Sequence, residues 1–409
     1  MGILKKSLWY VFIEQLLGLF VLLGEVILYE EKIVHFIHGL NTGGAETLVK
    51  DYVLGINKEV YDVSVLCYAH QDSPYEAILQ NAGINIEYVC DNMKLWGKKG
   101  IIPKIVNHYQ LYFEIRKKLR KMQPDILHTH LTLNNYVWFS NLPKTVKLFH
   151  TVHTEPQKLW FDGKLSSKLD FKATNYLIHH KNQRMIVLHE KMRNEVNNLF
   201  NTKNSIILNN GINFSVFENT KSNEEMREML KIPKNSFVVG HVGRFSDVKN
   251  HMFLIKVFEE IYAKNKQAYL LMIGSGEELI RIKSLLDEST MKNNYCILSN
   301  RSDVADLMKT MDVFVFPSKY EGLSVVLIEA QKSSLPCFVS DTVNTYTKVT
   351  NLIEFLSLNQ SESEWAQEVS KMEDKVYRES FIKQGGEVPN TWDMKYVIKN
   401  LEQIYEGEV

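Results

Sequence analysis

Cysteine is scarce in this chain: four among 409 residues, at Cys67, Cys90, Cys296 and Cys337, with no C-x-x-C pair and no Cys/His cluster. That excludes a disulfide framework and a cysteine-based zinc site, and it reads as buried free thiols in a reducing compartment. No Asp-x-Asp occurs anywhere, so paired carboxylates that could bridge a divalent cation to a diphosphate are missing. No G-x-G-x-x-G follows the first apolar strand, which removes the main support for hydride chemistry on a dinucleotide. Net charge is absent too: Lys+Arg and Asp+Glu both number 48, so overall charge selects no partner. There is no low-complexity tract and no repeat with a period of roughly 20–50 residues.

A long uninterrupted apolar run is also lacking. Residues 7–29 are largely apolar and follow Lys5-Lys6, but Glu14, Gln15 and Glu25 break them up. A spanning helix needs about 20 apolar residues, and a secretory signal fits poorly because no small-x-small cleavage site follows. Residues 1–30 are therefore set apart as an extension, with three readings open: an interfacial or weak membrane anchor, a core-packing helix, or a leader translated from an upstream start.

What is present is an ordinary globular composition, 45% apolar and 23% charged, in a chain long enough for two cores. Short β-rich runs alternate with helical stretches, the pattern of doubly wound α/β domains. In the first half the strands fall at 32–38, 63–68, 84–89, 125–130, 147–153, 184–189 and 205–211. A polar stretch at 218–225 precedes a second series at 237–243, 268–274, 295–299, 313–318 and 336–341, which places the domain boundary near Asn210 to Asn213. After Asp341 the pattern weakens into helices near 361–371 and 393–405. Parallel sheets bind ligands at the carboxyl ends of their strands, so two in series imply a cleft.

The residues at those strand ends carry the chemistry. Glu321 and Glu329 lie eight positions apart in PSKYEGLSVVLIEAQ, the first in a Gly-containing turn, the second inside the following helix. Free backbone N–H groups at such a turn favour an anion, and a carboxylate beside them accepts hydrogen bonds from sugar hydroxyls. A helix beginning near Ser324 would put Glu329 roughly 7–8 Å along its axis, matching the two ends of a sugar–diphosphate–ribose. Glu329 follows Val325-Val326-Leu327-Ile328, so it is expected to be part-buried. Arg244 and Lys249 in GRFSDVKNH offer a planar fork and a point charge for phosphate oxygens. Gly43-Gly44 in HGLNTGGAE lets backbone approach a ligand ahead of a helix. Gly274 and Gly276 in GSGEE, and Asn300-Arg301, end the next two strands and fit the ribose or base side.

Two features stay open at this level. His128, His130, His150 and His153 cluster at strand ends, and His153 in TVHTE is the preferred functional one. The stretch 94–121 holds nine basic residues and one acid, with aromatic residues mixed in. It reads as a solvated amphipathic helix or as a contact for an anionic membrane, in preference to nucleic acid.

Together HGLNTGGAE, TVHTE, NNGIN, GRFSDVKNH, GSGEE and EGLSVVLIEAQ make the chain resemble the family 4 glycosyltransferases, retaining enzymes of GT-B architecture. The look is closest to the bacterial capsular and exopolysaccharide enzymes. The resemblance implies two Rossmann-like domains across a cleft: 31–211 on the acceptor side, 212–388 for the nucleotide sugar, and 389–409 returning to the first domain. It implies that Gly44 approaches the donor phosphates, that Arg244 and Lys249 hold the diphosphate, and that His153 sits near the donor sugar. Glu321, with the backbone of Gly322, Leu323 and Ser324, would fix that sugar, and Glu329 would bind the ribose hydroxyls. The implied reaction is transfer from a nucleotide sugar, UDP-linked, to a glycan or lipid-linked saccharide. No cofactor and no metal are expected, and the location is cytoplasmic or on the inner membrane face. The rival readings are a nucleotide-sugar epimerase or hydrolase of the same architecture, and a non-catalytic assembly scaffold. Ser299 stands where the family often has Gly, and the region after Asp341 lacks the family's glycine-rich run.

Overall fold

The structure, a computed structural model, describes residues 30–41, 43–93, 101–218 and 220–408. The apolar extension before residue 30 and the first part of the basic stretch, 94–100, lie outside the described residues. Among the described residues no helix is long and apolar enough to cross a membrane.

Two all-parallel sheets organise the chain. The first contains β1 (Glu31–Phe36), β2 (Tyr61–Cys67), β3 (Asn85–Tyr88), β4 (Ile126–His130), β5 (Lys147–Thr151), β6 (Arg184–Val187) and β7 (Ser205–Ile207), in the order β3-β2-β1-β4-β5-β6-β7. The second contains β8 (Phe237–Val242), β9 (Ala268–Ile273), β10 (Tyr295–Leu298), β11 (Val313–Phe316), β12 (Cys337–Ser340) and β13 (Ile353–Leu356), in the order β10-β9-β8-β11-β12-β13. Both are doubly wound, with helices covering each face, which is why central strands such as VFVF of β11 are apolar and buried at every position. Each expected strand is present. The strand the sequence pattern did not show is β13: four residues, IEFL, with a charge in it, paired only to β12 at the sheet's edge.

The chain crosses between the sheets twice, and the crossings lie side by side. Ile212 donates its N–H to Trp392 O at 2.9 Å and accepts from Met394 N–H at 2.9 Å. The helix Met394–Glu406 is capped by Asp393. It buries Met394, Val397, Ile398, Leu401, Ile404 and Tyr405, a stripe at helical spacing, in the core of the first domain. Gly55 makes that approach possible, because a Cβ there would strike Ile398.

One expectation is corrected. Cys67 and Cys337 are buried, but Cys90 is exposed and Cys296 partly so. Cys90 opens a short turn after β3, and Cys296 lies on the edge strand β10, where only one neighbour covers it. The basic helix Ile101–Met122 carries less free charge than its sequence suggests. Lys118, nearly buried, and Lys121 both face Glu87, and Lys117 pairs with Glu114.

Candidate functional site

The second domain supplies three loops, all leaving the carboxyl ends of neighbouring strands. The loop after β8 (Gly243 to Asn250) lies against the loop after β9. Gly243 N–H bonds Ile273 O, Phe245 N–H bonds Ser275 O, and Glu278 N–H bonds Phe245 O, at 2.9–3.0 Å. Gly274 and Gly276 sit at φ +152° and +155°, and a Cβ on either would strike the backbone oxygen of Gly243 or Phe245. Only glycine fits there. The departure at Ser299 also has a place in this arrangement, since its hydroxyl donates to Gly274 O at 2.9 Å.

That backbone frame sets the charges. Lys249 Nζ stands 2.7 Å from Glu321 Oε1, both side chains largely shielded from solvent. Ser318 donates to the same carboxylate oxygen at 3.3 Å, and Lys249 also lies over the Phe316 ring. Arg244 pairs with Glu277 at 3.1 Å in an exposed position, and Arg301 is forked onto Asp303. Asn300 adopts a left-handed turn at φ +55°. The helix Val325–Lys332 starts at Ser324, and no side chain caps its first turn. The first N–H groups of this helix therefore have no side-chain partner, and they follow directly on Glu321, Gly322 and Leu323 in the chain. Glu329 lies one and a half turns in and is part-buried. Burial pushes its carboxyl up to about 7; Asp51 of the first domain adds to the rise, and Lys50 opposes it. A carboxyl in that state accepts or donates a hydrogen bond near neutral pH.

The first domain closes the cleft from the other side. Gly43 and Gly44 lead into the helix Gly44–Gly55, and the Glu46 carboxylate folds back over Gly43, where a Cβ would collide with it. Space around Gly44 is open. Past the end of β5, the His153 backbone oxygen lies 3.9 Å from where a Cβ on Gly322 would be. Leu323 packs against the cluster around Val152, Leu159 and Trp160. Lys158 stands over the Tyr320 ring, and His189 stacks on Tyr346 while its Nε2 meets Asn344 Nδ2 at 3.0 Å.

The structure thus brings His153, Gly322, Glu321 and Lys249 to one place, with Glu329 facing the helix that Gly43 and Gly44 begin. Arg301 and Asn300 sit farther along the second sheet, after β10. Sequence reasoning passed over His35. It lies on β1 directly beside His128 of β4, and two residues on is His130. His35, His128 and His130 present nitrogens within 4.8 Å of one another, the spacing of a metal site. Their hydrogen bonds argue against that use. His128 is held by Tyr405 at 2.6 Å and Thr151 at 2.7 Å, and His130 by His35 at 3.1 Å and His153 at 3.0 Å. No carboxylate stands among them to balance a dication in so buried a spot. His150 points to the other face of the sheet and bonds Thr129 at 2.8 Å.

Two parallel-sheet domains facing each other across such a cleft define the GT-B architecture. The chain belongs to the glycosyltransferases: residues 42–216 match the model described as Glycosyltransferase Family 4, and residues 222–387 the model described as Glycosyl transferases group 1. It is similar to the capsular polysaccharide biosynthesis glycosyltransferase CapH of Staphylococcus aureus, with 24% identity across 91% of this chain and 98% of that protein. It is also similar to the Escherichia coli UDP-Gal:alpha-D-GlcNAc-diphosphoundecaprenol alpha-1,3-galactosyltransferase, with 24% identity across 69% of this chain and 72% of that one. Among solved structures, HepE of Anabaena in complex with UDP and glucose superposes with a TM-score of 0.72 over 92% of this chain and all of that one, at 14% identity.

Proposed function

We propose that this chain is a retaining glycosyltransferase that moves a sugar from a UDP-sugar to a glycan or lipid-linked saccharide during surface polysaccharide assembly. The observation that carries the reading is the Lys249–Glu321 pair, 2.7 Å apart and shielded, with Glu321 one residue before Gly322, which faces the His153 backbone, and close ahead of an uncapped helix N-terminus. The diphosphate would lie along Lys249, Arg244 and the Gly43-Gly44 turn. Glu321 and the backbone of Gly322, Leu323 and Ser324 would hold the sugar hydroxyls, and Glu329 the ribose. Gly274, Gly276, Asn300 and Arg301 would border the nucleoside.

In this reading the bond from the sugar C1 to the phosphate oxygen breaks and the acceptor oxygen bonds C1 on the same face. The departing phosphate oxygen takes the acceptor's hydroxyl proton. Lys249 and Arg244 offset the charge that develops on it, a role worth several kcal/mol in a shielded site. We take the reaction to need no metal for that step. The names of CapH and of the galactosyltransferase support a polysaccharide setting and a lipid-linked acceptor. An acceptor of that kind lies at the inner membrane face, and exposed Tyr109 and Phe113 on the basic helix suit such a surface.

The test is a donor-consumption assay with and without undecaprenyl-diphosphate saccharides, run with and without EDTA. Acceptor-dependent product with the donor's anomeric configuration, unaffected by EDTA, is expected. Donor loss without acceptor would instead indicate an epimerase or hydrolase. No nucleotide-dependent rise in melting temperature and no turnover would leave only a scaffold.

A further inference from the structure

Behind His153 runs a line of imidazoles that the proposed reaction does not itself use. His35 Nδ1 is 3.1 Å from His130 Nε2, and His130 Nδ1 is 3.0 Å from His153 Nε2. His35 and His130 are fully buried on the neighbouring strands β1 and β4, His130 two residues beyond His35's register partner His128, while His153 is partly open at the cleft. His35 Nε2 is buried and has no hydrogen-bond partner. Neighbouring His128 cannot join the line, because Tyr405 and Thr151 already occupy both its nitrogens.

Burial holds these rings neutral. It pushes His35 down to about 3, His153 to about 4, and His130 well below the usual imidazole range. A neutral imidazole carries one N–H, and each of the two contacts needs one donor and one acceptor. The three protons are therefore set together, in one of two patterns. In the first, His153 donates to His130 and His130 to His35, which leaves a buried His35 Nε2–H with nothing to accept it. In the second, His35 donates to His130 and His130 to His153. His35 Nε2 is then a bare acceptor, and His153 carries its proton on Nδ1. A buried N–H without an acceptor is the rarer defect in folded proteins.

We infer that His35 and His130 are positioning residues that polarise this line outward and fix His153 as the Nδ1–H tautomer, so that it presents a hydrogen-bond donor to an oxygen of the bound nucleotide sugar. The last clause rests on the function proposed above; the tautomer assignment does not. The device resembles a catalytic triad in logic, since the residue behind a histidine decides which of its nitrogens faces the substrate. Here the orienting group is another neutral imidazole.

The decisive measurement is ring-nitrogen NMR on the full chain with 15N-histidine, with His153 identified by comparison with His153→Gln. Nδ1 protonated and Nε2 bare in His153 is the expected pattern, and the opposite pattern overturns the proposal without reference to any activity. His35→Phe, which keeps an aromatic shape but removes the donor, should let His153 populate the Nε2–H form. It should also lower kcat about 10- to 100-fold, part of what losing an oxyanion donor costs, with KM within about twofold. His35→Asn, which returns an N–H near the Nδ1 position, should recover most of the rate. A His35→Phe protein with wild-type tautomer signals and wild-type kcat would defeat the relay. Expected tautomer signals with no turnover of any nucleotide sugar by the wild type would defeat only the functional reading.

Discussion

On the second domain's wall of the cleft, Lys249 stands against Glu321 and Arg244 against Glu277, so the polar groups there are charged and paired. On the first domain's wall the part opposite Glu321 is His153, a neutral imidazole with two more neutral imidazoles behind it, and charge appears only around the Gly-Gly turn and its helix, at Glu46 and at the Lys50–Asp51 pair that faces Glu329. The two walls also get their rigidity differently. The charged wall is built of loops, held by backbone hydrogen bonds between the GRF and GSG segments and by glycines that no other residue can replace. The neutral wall grows out of the sheet, with His35 and His130 inside strands. Ions can sit on loops because loops leave them some solvent; ions inside a sheet would be desolvated at several kcal/mol each. The division suits a donor whose diphosphate is charged and whose sugar is not.

The largest test of this contrast removes the shielded cation. Lys249→Ala should lower kcat/KM for the donor by roughly 10³-fold, because it would delete the proposed phosphate partner and leave Glu321 part-buried without its counter-ion. A loss of less than threefold would remove Lys249 from the site. On the opposite wall, His153→Ala should cost about 10²-fold in kcat, the size of one lost oxyanion donor. A change confined to KM would make His153 a binding contact only.

Arg244→Ala sharpens the comparison within the charged wall. Its pair with Glu277 is exposed, and such pairs contribute about 0–1 kcal/mol to folding. The melting temperature should therefore move by no more than about 2 °C, while donor affinity falls roughly 30-fold, the worth of a charge-assisted hydrogen bond to phosphate. A variant that loses stability but not affinity would make Arg244 structural.

The charged wall was far more legible in the sequence than the neutral one. Glu321, Lys249, Arg244 and the glycines lie just past apolar runs, and in a parallel sheet that position alone puts them at the ligand edge. The Glu321 to Glu329 spacing, read against a helix starting at Ser324, matches the helix Val325–Lys332. The histidine line was not legible, because it depends on strand order. His35 and His130 are 95 residues apart and meet only because β1 lies beside β4 and not just beside β2. The Arg244–Glu277 pair was hidden for the same reason, since it needs two loops stacked on each other. Strand β13 was missed for a different one: four residues at an edge carry too little apolar pattern to stand out.

The smallest expected effect concerns Glu329, the one carboxylate of the charged wall that has a raised, not a satisfied, environment. Its ordinary value of 4.5 is pushed up to about 7, chiefly by burial and then by Asp51 across the cleft. Between those two values the folded protein holds a proton that the unfolded chain has lost. This group therefore favours folding at the acid side of the window, and its contribution declines as pH rises toward 7. Donor binding should run the other way. If the carboxylate accepts hydrogen bonds from the ribose hydroxyls, affinity for a UDP-sugar should strengthen by about tenfold from pH 6 to pH 8, as ionisation proceeds. A UDP-sugar is the right probe, because free UDP has a terminal phosphate that titrates in the same range. His35, His150 and His153 stay out of the window, since burial holds them at about 3 to 4. Calorimetric titration of Glu329→Gln should give a flat pH profile at an intermediate affinity. A profile that keeps its slope in that variant would assign the proton to another group and leave Glu329 as a buried helix residue beside the site.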